Sequence, residues 1–181
     1  MSQETLKEAL QHKIAAVQTD PANARLVFRA KTHLIEDVKC AASVRNFPTM
    51  LVDEPKDLGG GDEAMNPVEL VLVALGTCQE IMYSAYASVM GIPLDELKID
   101  VKGYLDLRGL FGLDGTVPVG YQKITYETTI RSPADAATIQ KLIETAEGHC
   151  PLLDILRRPL DVSGTITLNG QRLEMPAAQA A

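Results

Sequence analysis

The stretch from Asn66 to Gly91 constrains the fold more than any other part of the chain. Asn66 can cap a helix, Pro67 suits the first helical position, and Glu69 falls at the third, where its carboxylate can reach back to the Asn66 amide. Gly91, followed by Pro93, is the matching stop. At ~1.5 Å per residue such a helix runs about 38 Å. From Leu70 to Leu75 it is apolar on every face, which predicts a helix buried on all sides, and Cys78 stands in its middle.

Composition supports a core around that helix. The 181 residues suit one domain with a short N-terminal arm, and 46% of them are hydrophobic against 23% charged. A net charge of −7 argues against nucleic acid or an anionic membrane as the main partner. No basic segment followed by an apolar one marks a signal peptide, and the apolar run Leu70 to Cys78 is far short of the ~18 residues of a membrane span. A soluble, cytoplasmic protein with no membrane association is expected. Cys40, Cys78 and Cys150 are the cysteines; their odd count suggests no disulfide framework. Neither a CxxC nor a His-x-x-x-His spacing occurs, so no metal and no cofactor is expected.

Residues 2 to 17 carry Leu6, Leu10, Ile14 and Val17 at helical spacing and form an amphipathic arm that packs on the body or on a second subunit. Between Ala24 and Val52 the period becomes two. A strand alternates through Leu26, Phe28, Ala30 and Thr32. A second puts Val38, Cys40, Ala42 and Val44 on one face, with Cys40 turned to the core, and a third runs from Thr49 to Asp53; an antiparallel meander is the simplest topology. The loop from Glu54 to Glu63 contains three consecutive glycines, but no Lys-Ser/Thr follows and Asp62 and Glu63 would repel a phosphate, so it reads as a turning or mobile loop.

Beyond the central helix, Leu97, Ile99, Val101 and Gly103 alternate with charged residues. Residues 109–115 form a loop, and Ile124, Tyr126, Thr128 and Ile130 share a face of the next strand. Ser132-Pro133 opens a helix through Glu147, a short helix starts at Pro151, and residues 160–168 close with a strand. The boundaries are thus an arm at 1–22, a domain at 23–170 and a disordered tail at 171–181. Met82, Tyr83 and Tyr86 read as core or interface, and His12 and His33 as surface residues.

Two cysteines invite chemistry. Cys78 in an apolar helix reads first as core, since burial raises a thiol's pKa and makes it inert unless a cation is near. Cys150 falls at the N-cap of the Pro151 helix, where amides and the helix dipole favour a thiolate, or where it is simply a small cap. His149 beside it is a possible base.

Asn66-Pro67-x-Glu69-Leu70 leading to Gly76-Thr77-Cys78, with His149-Cys150-Pro151 some seventy residues later, resembles the OsmC/Ohr family of thiol-dependent organic hydroperoxide reductases. Asp53-Glu54-Pro55 and Gly59-Gly60 are similar to its OsmC-like branch. The resemblance covers roughly residues 24–168 and implies an α+β fold, antiparallel sheets around a long buried central helix, in an intertwined homodimer with its active sites between subunits. It implies that Cys78 attacks the peroxide, that Cys150 resolves the sulfenic acid, and that a dithiol reductant restores both. It also supplies Cys78 with an arginine and a glutamate. Arg45 is the candidate arginine, from the partner subunit. The family's glutamate position holds Val68 here. Glu69 is next to it but falls about 180° around the helix from Cys78, which makes it the capping acid rather than a catalytic group. Asp62 or Glu63 could supply a replacement carboxylate. The alternative on the same scaffold is a non-catalytic protein that holds a small hydrophobic ligand at the dimer interface.

Overall fold

The computed structural model describes residues 3–173. Its axis is the central helix α2, Pro67–Met90. The start is the expected capping box: the Glu69 amide donates to Asn66 Oδ1 at 2.9 Å, and the Asn66 amide donates to Glu69 Oε2 at 2.9 Å. The stop is Gly91, whose φ of 69° lies in the left-handed region that a side chain disfavours.

α1 (Gln3–Thr19) packs against α2, and Gln3 Nε2 donates to the Ile92 carbonyl at 3.2 Å. Three strands follow: β1 (Ala30–Glu36), β2 (Lys39–Val44) and β3 (Met50–Val52), an antiparallel meander in the order β1-β2-β3. After α2 come β4 (Glu96–Tyr104), a one-turn helix α3 (Leu107–Leu110) and β5 (Lys123–Arg131). β4 and β5 form an antiparallel ribbon in unbroken register from Glu96↔Arg131 to Tyr104↔Lys123. α4 (Ala136–Gly148) and α5 (Pro151–Arg157) pack on α2, and β6 (Ile166–Leu168) and β7 (Gln171–Leu173) close with a hairpin.

The core has two parts along α2. Tyr83 and Ala87 of α2, with Ile92 beyond its end, meet Leu142 and Ala146 of α4. Nearer the start of α2, Leu75 meets Cys150 and Leu153 at the start of α5. Met82 packs against both. α2 is the one helix among the described residues long and apolar enough to cross a membrane; α1, α4, α5 and β4 pack along it, as on the core helix of a globular domain.

Several expectations are corrected. α2 is not buried all round, because Val73 is 44% and Ile81 65% exposed on this chain. The ladder of β1 begins at Ala30, not Leu26, and residues 25–29 have no regular structure and no strand partner among the described residues. Cys40 does not reach the core. The buried residue of β2 is Ala41, on the opposite face, whereas Val38, Val44 and Met50 lie open around a half-buried Cys40. Among the described residues no helix packs broadly on that sheet, which leaves its apolar face uncovered. α3 takes the first two residues, Gly109 and Leu110, of the expected 109–115 loop. Asp135, not Ser132, caps α4: Asp135 Oδ1 accepts from the Thr138 amide, while Ser132 Oγ donates to the Pro93 carbonyl. Residues 171–173 are a strand rather than tail, since Asn169 and Gly170 both take positive φ and turn the chain into a hairpin. The rest of the expected tail, residues 174–181, lies outside the described residues.

Candidate functional site

The two cysteines meet. α2 carries Cys78 on the side that faces the start of α5, and the Cys150 thiol donates to Cys78 Sγ across 3.6 Å. Both are free thiols, Cys150 buried and Cys78 partly so. Pro151 at the first position of α5 makes Cys150 the N-cap, as read from the sequence, yet Cys150 makes no side-chain capping bond. The amide of Leu152, the second residue of α5, points to Cys78 instead. The helix-start donor expected to favour a Cys150 thiolate therefore serves the other sulfur.

Burial pushes the Cys78 thiol above its ordinary pKa; the Leu152 amide works against this, and the neighbouring Cys150 adds to it. Among the described residues no cation acts on Cys78 to offset the shift. Arg45 sits at the tip of the β2–β3 turn at φ 51°, with its guanidinium 4.5 Å from the centre of the Phe47 ring. It is not among the groups that act on Cys78. Glu69 is held in the capping box through its amide and its Oε2. Glu63 pairs with Lys39 at 2.8 Å, and neither it nor Asp62 acts on Cys78. His149 caps the end of α4, its Nδ1–H donating to the Thr145 carbonyl at 2.8 Å and its ring 5.2 Å from Tyr86.

Two features were not read from the sequence. Asp53 is 1% exposed, shielded by the loop backbone around it. Its carboxylate accepts from the amides of Glu54, Gly61 and Glu63 at 2.9, 3.0 and 3.2 Å. Desolvation raises its pKa, but these amides and Lys39 outweigh it, so the pKa falls below the usual range. The glycine run thus wraps a carboxylate of its own chain; a Cβ on Gly60 would stand 1.8 Å from the Glu54 carbonyl oxygen. The second feature is Gln79, beside Cys78 and 1% exposed, whose amide nitrogen and oxygen both lack hydrogen-bond partners. It lies close enough to the Tyr126 hydroxyl to ease its ionisation, but outside hydrogen-bonding geometry. A polar residue within an apolar helical stripe was the available signal.

A dithiol pair with an amide aimed at one sulfur can undergo oxidation to a disulfide. Among the described residues no cluster of ligating side chains could hold a metal ion.

The family model described as OsmC-like protein matches residues 59–164. An uncharacterized Bacillus subtilis protein, YmaD, is 26% identical over 125 residues, 65% of this chain and 78% of that protein. The crystal structure of an OsmC-like protein from Mycoplasma pneumoniae superimposes with a TM-score of 0.63 at 20% identity, covering 73% of this chain and 88% of that one. An organic hydroperoxide resistance protein from Legionella pneumophila gives 0.55 at 20% identity, over 73% and 90%.

Proposed function

The chain belongs to the OsmC-like protein family, and from that membership and the meeting of its two thiols we propose that it is a thiol-dependent peroxidase that reduces organic hydroperoxides, active in the cytoplasm in defence against oxidative stress. The observation that carries this reading is the 3.6 Å approach of Cys78 and Cys150 across 72 residues of chain. The Cys78 thiolate attacks the terminal oxygen of ROOH. The O–O bond breaks, a sulfenic acid forms, and the alkoxide leaves as ROH after taking a proton. Cys150 then attacks the Cys78 sulfur; the S–S bond forms, the S–O bond breaks and water departs. Closing from 3.6 Å to the ~2.05 Å of a disulfide needs a movement of only about 1.5 Å. A dithiol reductant returns both thiols by exchange. The apolar wall of Leu75, Met82 and Leu153 favours an alkyl peroxide over hydrogen peroxide.

In this reading the enzyme is a homodimer, and Arg45 of a second copy supplies the cation that Cys78 lacks within its own chain. Support comes from the uncovered apolar surface: Leu34, Val44 and Met50 on the sheet, and Val73 and Ile81 on α2, all more than 40% exposed.

Cumene hydroperoxide with a dithiol reductant is the test. Turnover that C78S abolishes, and that C150S limits to a single event per chain, is expected. No turnover by fully reduced protein would contradict the proposal and favour the second reading, a non-catalytic binder of a small hydrophobic ligand. The raised Cys78 pKa and Val68 in the family's glutamate position speak for that reading.

A further inference from the structure

Glu147 is placed against the interest of its own helix. It is the penultimate residue of α4, where the helix dipole disfavours a carboxylate, and no basic residue shares that last turn. Among the described residues it makes no ion pair. A phenol holds it instead: the Tyr83 hydroxyl of α2 donates to Glu147 Oε1 at 3.4 Å. The same carboxylate acts on the Tyr126 hydroxyl of β5. Burial first, and Glu147 after it, raise both phenols above their ordinary pKa, so both keep the protons they can donate.

These two phenols are firm posts. Tyr83 is 1% exposed and packs with Leu142 and Ala146, while Tyr126 packs against the cluster that contains Cys150. The backbone of Glu147 leads straight to the buried thiol, since its carbonyl accepts from the Cys150 amide at 3.3 Å. Between them stand Gly148, which has no side chain to fix the turn, and His149, whose ring bonds back to Thr145 of its own helix. Cys150 makes no side-chain capping bond. Apart from the contacts of Cys78, the polar tie between this turn and α2 among the described residues is Glu147 to Tyr83.

We propose that Glu147 is a positioning residue for the resolving thiol: its carboxylate, held by Tyr83 and beside Tyr126, pins the turn between α4 and α5 and so keeps Cys150 within reach of Cys78. A disulfide forms only while the sulfurs can close from 3.6 Å to ~2.05 Å, and a turn free to drift spends less time in that geometry. This role rests on the reading of Cys78 and Cys150 as a redox pair, not on the oxidant being a peroxide.

Equilibration of the full chain in glutathione buffers tests it. The glutathione S–S bond breaks, the Cys78–Cys150 bond forms, and the two thiol protons pass to two reduced glutathiones; mass mapping after alkylation reads the ratio. E147A should lower the equilibrium constant for the protein disulfide about tenfold or more. E147Q, whose amide oxygen still accepts from a phenol, should restore it to within about threefold. Y83F/Y126F, which keeps the packing and removes both donors, should fall with E147A. A general loss of stability lowers the melts of the reduced and oxidised chain alike and does not move this equilibrium of the folded protein. An E147A constant within about twofold of the unaltered chain, an equal fall in E147Q, or no fall in Y83F/Y126F would each overturn the proposal. An unaltered chain that stays reduced in every buffer would overturn both it and the redox pair. The expected E147A shift, with no turnover of cumene hydroperoxide by the unaltered chain, would uphold this role and sink the peroxidase reading alone.

Discussion

At the scale of single residues, the decisive fact is which sulfur receives the α5 amide. The sequence shows that a helix begins at Pro151, and local reasoning gives its donors to the N-cap residue Cys150. The fold brings Cys78 of α2 over that helix start, and Leu152 N–H goes there instead. No local pattern contains that choice, because it depends on the angle at which α5 meets α2. Gln79 was hidden for a similar reason: a lone glutamine on a helix is ordinary until the face it occupies is known to be buried. Its unpartnered amide costs stability, so Q79M, close in shape and free of the polar atoms, should raise the unfolding free energy by about 1–2 kcal/mol in urea denaturation. A loss of stability would instead show that the amide is satisfied in the assembled protein. Alkylation of Cys78 in the isolated chain should rise with pH along a curve displaced above that of an ordinary cysteine, since burial holds the thiol protonated. A displacement to lower pH would show that a cation reaches it.

At the scale of elements, much was legible. The Asn66-Pro67-x-Glu69 start and the Gly91 stop define α2 to the residue because caps are local chemistry. The alternation through Leu97–Val101 and Ile124–Ile130 gave the two strands β4 and β5, but not their pairing into a ribbon. What failed was the choice of face and of competing caps. Alternation fixed two faces of β2 but not which one is covered, and Ser132 and Asp135 are both competent caps until the loop path selects one. N66A should therefore cost about 0.5–2 kcal/mol of stability, whereas E69Q, which can still close the box, should keep both stability and turnover. If E69Q abolishes turnover with the fold intact, Glu69 is catalytic after all. The loop before α2 predicts an acid sensitivity. Asp53 has a lowered pKa, so it stabilises the fold above its unfolded pKa, and that contribution is lost as pH falls through the lower folded value. D53N should lower the melting temperature at neutral pH and flatten the acid limb of the stability profile; an unchanged acid limb would remove Asp53 from the account.

At the scale of the whole molecule, the described residues of one chain leave an apolar sheet face and a flank of α2 open, and bring no cation to Cys78. In the proposed homodimer a second copy would answer both needs, and that part of the site is not legible in a single chain. R45A should lower the peroxide reaction rate about 10- to 100-fold by raising the thiol pKa. Mixing R45A with C78S should restore measurable turnover, because one site in each mixed dimer then holds both groups; no recovery would place the cation elsewhere. All of this rests on Cys78 and Cys150 being a redox pair. The most direct measurement is to oxidise the reduced protein with one equivalent of cumene hydroperoxide and map its thiols without reductant. A Cys78–Cys150 disulfide within one chain is expected, with Cys40 still free to alkylate. Cys78 oxidised to a sulfinic acid with Cys150 still free, or all three thiols untouched, would contradict it.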